Sequence, residues 1–258
     1  MPQIETTQGS IWYADHRDPT AHRPVTVMIH GAGGTHLDWP AELRRLPEAN
    51  AIIPDLPGHG KSPGSGHQSV AAYTASITAL LDALHIQQAV IAGHSMGGAI
   101  AQTLALTQPD RVLGLILVGT GAKLGVHPDI LNGVLTEMSR TMGLLMRGYW
   151  GETPQNEQLF RLSQQRLLEF NPTVLFNDYS ACNAFDIRDR IAEIQKPTLI
   201  IGGTNDNMTP LKFSQYLHDH IAGSELAVVE TGAHMMMLEQ PQFVADSVQK
   251  WLTNLHEQ

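Results

Sequence analysis

The sequence predicts an α/β protein built on a doubly wound, mostly parallel sheet with a helical insertion. Three observations carry that expectation. Short, near-continuous apolar runs alternate with longer amphipathic stretches; the runs end in glycine or other turn residues; and one long segment between two runs holds only helix-like patterns. Strands that are apolar on both faces belong to sheets covered on both sides, as parallel sheets are. Strand-then-helix repetition gives the doubly wound layout, which binds ligands beyond the carboxyl ends of its strands.

In chain order, the runs read as strands are Ser10–Ala14, Val25–Gly31, Ala51–Asp55, Ala89–Gly93, Leu113–Gly119, Pro197–Gly203 and Glu225–Glu230. Helical patterns cover Val70–Leu84, Met96–Thr107, Leu211–Ile221 and Phe243–Leu255. The rhythm breaks after the strand ending at Gly119. Residues 121–185 are read as a helical cap over the strand ends, and residues 1–120 and 186–258 as the core domain. In "DILNGVLTEMSRTMGLLMRGYW", Leu131, Val134/Leu135, Met138, Met142 and Leu145 recur at helical spacing.

Composition narrows the function classes. The 258 residues are 42% hydrophobic and 16% charged, values of a globular chain that can bury a large core. The formal net charge of −9 argues against a nucleic-acid partner, and short basic clusters such as Arg44-Arg45 read as solvated helix faces. A single cysteine, Cys182, rules out an intrachain disulfide and reads as a packed helix residue. The first residues show neither a basic start nor a signal-length apolar segment, and no run approaches a membrane span. A cytoplasmic location is therefore the expectation, with homo-oligomerisation left open.

The chemistry concentrates in loops that follow strands. "VIAGHSMGGAIAQ" runs from an apolar strand directly into a helical pattern, with Ser95 at the corner. Such a turn forces the corner residue toward positive φ and brings positions two residues away close together, which favours Gly93 and Gly97. The hydroxyl then projects above the sheet, beside the amide groups that open the next helix.

A serine needs a base to become a nucleophile, and the base needs a carboxylate to orient it. Of thirteen histidines, His234 in "ETGAHMMMLEQP" directly follows the last predicted strand. His94 adjoins Ser95 but points elsewhere on a sharp turn, so it reads as packing. Asp206 in "IIGGTNDNMTP" lies in the loop after the preceding strand; the other loop that could supply an acid, "TGAKLGVH", has none. For the oxyanion of an acyl-transfer intermediate, the expected donors are the backbone amides of Ala32, in "HGAGG", and Met96. His30 is read as a brace for that loop, and Asp55 and His59 in "DLPGHGKS" as tethers of their own. No metal-ligand spacing occurs, and the chemistry calls for no cofactor.

Taken in order, "HGAGG", "DLPGHGKS", "GHSMGG", "GTNDNMTP" and "GAHMMMLEQP" resemble the α/β-hydrolase superfamily over most of the chain outside the cap. The order Ser95, Asp206, His234 is the one that fold uses. "GHSMGGAIA" and "HGAG" look like carboxylesterases and monoacylglycerol lipases, whereas "FDIRDRIAEIQKPTLIIGG" is more similar to small bacterial esterases and enol-lactonases. A serine nucleophile separates the chain from haloalkane dehalogenases and epoxide hydrolases.

The resulting expectation is a serine carboxylic-ester hydrolase acting on a small-molecule ester through an acyl-enzyme, with activity rising as His234 loses its proton. Leu131, Leu135, Met138, Met142 and Trp150 of the cap, with Met208 and Met235 of the triad loops, are the expected pocket wall. Such flexible apolar side chains suit a hydrophobic, short-to-medium acyl or alcohol group. Lys123, Arg140 and Arg147 form no carboxylate clamp, which disfavours dicarboxylate substrates. Lactonase, thioesterase, amidase, C–C hydrolase and perhydrolase chemistry share the scaffold, and a ligand receptor with a slow hydrolase shell is the alternative of another class.

Overall fold

Strands apolar at every position need cover on both faces, and the computed structural model, which describes residues 2–20, 23–151 and 156–256, supplies it. Eight strands form one sheet: β1 (Gln3–Thr6), β2 (Gly9–His16), β3 (Val25–Ile29), β4 (Ala51–Pro54), β5 (Ala89–His94), β6 (Val112–Val118), β7 (Thr198–Gly203) and β8 (Glu225–Val229), in the order β1-β2-β4-β3-β5-β6-β7-β8. β2 runs antiparallel to β1 and β4, and every other pairing is parallel.

Alternate side chains of the same strand enter two different cores. Val27, Ile91, Leu115, Leu117 and Ile200 face α2 (Val70–Ala83), α3 (Met96–Thr107) and α8 (Leu211–His220), where Leu80, Ile100, Leu104 and Leu217 wait. Met28, Val90, Ile116, Val118 and Ile201 face the opposite way, toward Leu43 of α1 (Ala41–Arg44) and Val244, Val248 and Trp251 of α10 (Pro241–His256). The side-chain period of two thus becomes a sandwich of helix, sheet and helix.

Two features escape the sequence pattern. β1 is four residues of mixed polarity at the sheet edge, visible only through its pairing with β2. The short helices α1 and α9 (Met236–Glu239) span a single turn each, too little for periodicity to register. Between β6 and β7 lie α4 (Pro128–Thr136), α5 (Met138–Trp150), α6 (Glu157–Glu169) and α7 (Pro172–Ala184). Among the described residues no helix is long and apolar enough to cross a membrane.

The topology fixes where a ligand belongs. From β3 the chain steps to β4 on one side, then crosses through α2 to β5 on the other side of β3. Strand order reverses there, and the crevice beyond the carboxyl ends of β3 and β5 is the expected binding place. "HGAGG" follows β3, and Ser95 follows β5.

Candidate active site

Ser95 stands between β5 and α3 with φ 52° and ψ −116°, a conformation costly for any side chain. The corner is held by its backbone: the Ser95 amide donates to Val118 O at 3.0 Å, and the Thr120 hydroxyl donates to Ser95 O at 2.8 Å. The Ser95 hydroxyl does not cap its own helix and bonds to no other described side chain. Both flanking glycines are required, for different reasons. A Cβ on Gly93 would sit 2.1 Å from Gly97 O, across the corner, whereas one on Gly97 would sit 2.2 Å from Ile29 O of β3.

His234 follows β8 and is buried, yet it lines the same cavity as Ser95. Its Nδ1 lies 2.9 Å from Asp206 Oδ2, so Nε2 is the nitrogen left free for chemistry. Asp206 is fully engaged. Its Oδ1 accepts from the amides of Met208 at 2.9 Å and Thr209 at 2.8 Å, and its Oδ2 also accepts from the Thr209 hydroxyl at 2.7 Å. Burial alone would raise the Asp206 carboxyl, but the His234 charge and hydrogen bond, with the Thr209 bonds, outweigh it and hold the group below its ordinary value. Ser95 and His234 meet at the cavity wall without a direct hydrogen bond, a spacing common before substrate closes the site.

The loop after β3 is set by buried histidines. His30 Nδ1 donates to Gly31 O at 2.8 Å, and its Nε2 accepts from the Leu56 amide at 3.0 Å. Burial, then the neighbouring His59 charge, pushes His30 down to about 4, which keeps it neutral in that single tautomer. His59 is the reverse. Its Nδ1 faces Pro57 O at 3.0 Å and its Nε2 faces Asp178 Oδ2 at 2.8 Å, so both nitrogens must donate. Burial opposes the imidazolium, but Asp178 and Pro57 O more than offset it and raise the group. Asp55 accepts from the His36 and Lys61 amides and from the His36 ring. Asp55 and His59 therefore tether loops, and neither lines the cavity.

The cavity encloses about 390 Å³ beneath the helices between β6 and β7. Met208 and Met235 line it; Leu131, Leu135, Met138, Met142 and Trp150 do not, which corrects the expected pocket wall. Leu135 is 52% exposed, while Met142 and Trp150 are buried among Val134, Leu145 and Met146. Helical periodicity identifies an apolar face without saying what that face meets, and here it meets the core rather than the ligand space. The apolar wall comes instead from Leu124, Val126, Leu167 and Phe170.

Several wall groups went unseen in the sequence. Arg166 and Asp38 reach the cavity as a pair at 3.3 Å, with Glu169 nearby. Two carboxylates against one guanidinium make no cationic clamp, and Lys123, Arg140 and Arg147 stay off the wall. Tyr149 stacks on His234, ring centroids 5.9 Å apart at 17°, and Tyr149 O accepts from the Met235 amide at 3.1 Å. The legible signal was in α7, where Asp178 shares a face with Leu175 and Cys182: an acid on an apolar stripe, buried completely.

Comparisons with known proteins place the chain in a family and a fold. The model of the alpha/beta hydrolase family matches residues 26–247. A pimeloyl-[acyl-carrier protein] methyl ester esterase of Neisseria meningitidis is 30% identical over 88% of this chain and 92% of its own. A solved thermophilic esterase is 29% identical with a TM-score of 0.85, covering 98% of this chain and 97% of its own. The enol-lactonase of Burkholderia xenovorans, at 21% identity, shares the fold with a TM-score of 0.91 over 98% of this chain and the whole of its own.

Proposed function

The chain belongs to the alpha/beta hydrolase family, and on that premise we propose that it hydrolyses carboxylic esters through an acyl-enzyme on Ser95. The observation that carries this reading is the 2.9 Å bond from His234 to Asp206, with the unbonded Ser95 hydroxyl on the same cavity wall. His234 Nε2 takes the Ser95 proton as Oγ bonds to the ester carbonyl carbon. The amides of Ala32 and Met96 receive the resulting oxyanion; the Ala32 amide bonds to no other described residue, and Met96 opens α3, where first-turn amides lack helical acceptors. The carbonyl carbon–alkoxy oxygen bond breaks as His234 returns the proton to the leaving alcohol. Water then attacks the acyl carbon, gives its proton to His234, and Ser95 recovers it as the acid departs. Asp206 keeps the imidazole in the needed tautomer throughout.

The wall supports one substrate class. Leu124, Val126, Leu167, Phe170, Met208 and Met235 favour an uncharged, hydrophobic, short-to-medium acyl or alcohol group. Arg166 is already neutralised by Asp38, so an anionic substrate end would have to compete with a carboxylate. In this reading the helices within residues 121–185 act as the cap. A panel of p-nitrophenyl esters of graded length, run beside lactones and thioesters with Ser95→Ala as control, tests it. Turnover that prefers esters and vanishes in the variant is expected; full turnover by Ser95→Ala overturns the reading.

A further inference from the structure

The Ala32–Gly33 peptide is gripped at both ends by side chains from the helices between β6 and β7. The Tyr149 hydroxyl, from α5, donates to Ala32 O at 3.2 Å. Asp178 Oδ2, from α7, accepts from the Gly33 amide at 2.8 Å. The carbonyl of Ala32 and the amide of Gly33 belong to one peptide plane, so the two contacts fix its orientation as two pins fix a plate.

Each pin is itself held. The Tyr149 proton is committed to Ala32 O, so the Tyr179 hydroxyl, 2.8 Å away, donates to Tyr149. Burial pushes both phenols above their ordinary range, which keeps them protonated and donating. Asp178 also accepts from protonated His59 through Oδ2 and from the Tyr73 hydroxyl through Oδ1. A fully buried carboxylate with three donors does not drift.

The loop needs such a restraint. Gly33 has φ +63°, and glycines flank Ala32 on both sides, so compensating rotations at Ala32 and Gly33 could turn this peptide over at small steric cost. Turning it would aim Ala32 O at the Asp178 carboxylate, where the Gly33 amide now points, and disturb the neighbouring Ala32 amide. Leu175 and Leu167 close the space above Gly33, where a Cβ would lie 2.8 Å and 3.4 Å from their Cδ1 atoms.

We propose that Tyr149 and Asp178 are positioning residues that lock the Ala32–Gly33 peptide and thereby hold the Ala32 amide on the oxyanion. The inference rests on the reading of Ser95 as nucleophile and Ala32 as donor. It makes the oxyanion site complete only when α5 and α7 are seated.

Tyr149→Phe removes one hydroxyl and keeps the ring over His234. On a short ester its kcat is expected to fall roughly 10–100-fold, less than deletion of an oxyanion donor, with KM within about twofold. Affinity for a trifluoromethyl ketone, which mimics the tetrahedral adduct, should weaken in step with kcat/KM, a split that a merely structural hydroxyl would not produce. Asp178→Asn, which retains an oxygen for Gly33 but loses the charge, should show a smaller loss of the same kind. The double variant should lose less than the product of the two, because both act on one peptide. Unchanged kcat and ketone affinity in Tyr149→Phe, with Ser95→Ala inactive, overturn the clamp alone. Turnover retained by Ser95→Ala overturns the clamp together with the reading beneath it.

Discussion

His94 Nε2 donates to the carbonyl oxygen of His234 at 2.9 Å, joining the residue before the candidate nucleophile to the backbone of the candidate base. Burial, then the His234 charge, pushes His94 down to about 3, so it is a neutral donor throughout the working range. The histidine that reads as packing in the sequence is a strut between two loops of the candidate site. His94→Ala should leave that buried carbonyl unpaired, costing about 1–3 kcal/mol from the lost bond before any cavity cost. Urea unfolding checks it, and an unchanged midpoint would retire the strut.

The corner at the candidate nucleophile, Ser95, makes a sharper prediction. Gly93→Ala and Gly97→Ala each drive a Cβ into backbone oxygen, at 2.1 Å and 2.2 Å, and backbone cannot rotate away as a side chain can. Both variants should be inactive and either unfolded or destabilised by more than about 4 kcal/mol, in the exceptional range for single substitutions. Circular dichroism and activity after purification read the outcome. Gly143→Ala is the control, since its Cβ would meet only the far end of Arg147 at 3.9 Å and it does not line the cavity.

The core strands and the loops of the candidate triad were legible because their signals are local: an apolar run, a stop, then the chemistry. β1 was not, since four residues of mixed polarity become a strand only through a partner. Of the cavity wall, Met208 and Met235 were legible from their loops, but most of the rest was not, because it is assembled from α5, α6, α7 and loops that meet only after folding. Tyr149 and Asp178 fall between these cases. Each stands out slightly in its helix, but what it grips lies more than a hundred residues away.

Three buried histidines shape the response of stability to pH in opposite directions. His30 and His94 are held near 4 and 3 against an ordinary 6.5, so in mild acid the unfolded chain takes up protons that the folded chain refuses. Stability therefore falls with falling pH below 6.5, by about 1.4 kcal/mol per pH unit for each. His59 is raised, so its contribution is whole below 6.5 and is lost as pH rises through its folded value. Asp206 is lowered, and its contribution disappears as pH falls through that depressed value, extending the acid limb. Asp38 and Glu239, raised by burial, oppose it in the carboxylate range. The decisive quantity is a difference: His94→Gln, which keeps a donor for His234 O, should flatten the acid limb by about 1.4 kcal/mol per pH unit. Denaturant midpoints from pH 4.5 to 6.5 measure it, and parallel wild-type and variant limbs would show that His94 is not held neutral.

Leu167 gives the test of substrate size. It is 3% exposed, lines the cavity, and would touch a Cβ on Gly33 at 3.4 Å, so it stands beside the candidate oxyanion loop. Leu167→Ala removes three carbons from that wall and should shift the ester-length optimum upward. Each methylene that fills the new space is worth about 0.8 kcal/mol, or roughly fourfold in kcat/KM. Short esters should lose activity by a similar factor, because they no longer fill the space. Leu135→Ala is the matched control: its side chain is off the cavity and 52% exposed, so the length profile should not move. A shift in Leu135→Ala with none in Leu167→Ala would return the binding wall to the face of α4 and remove it from α6.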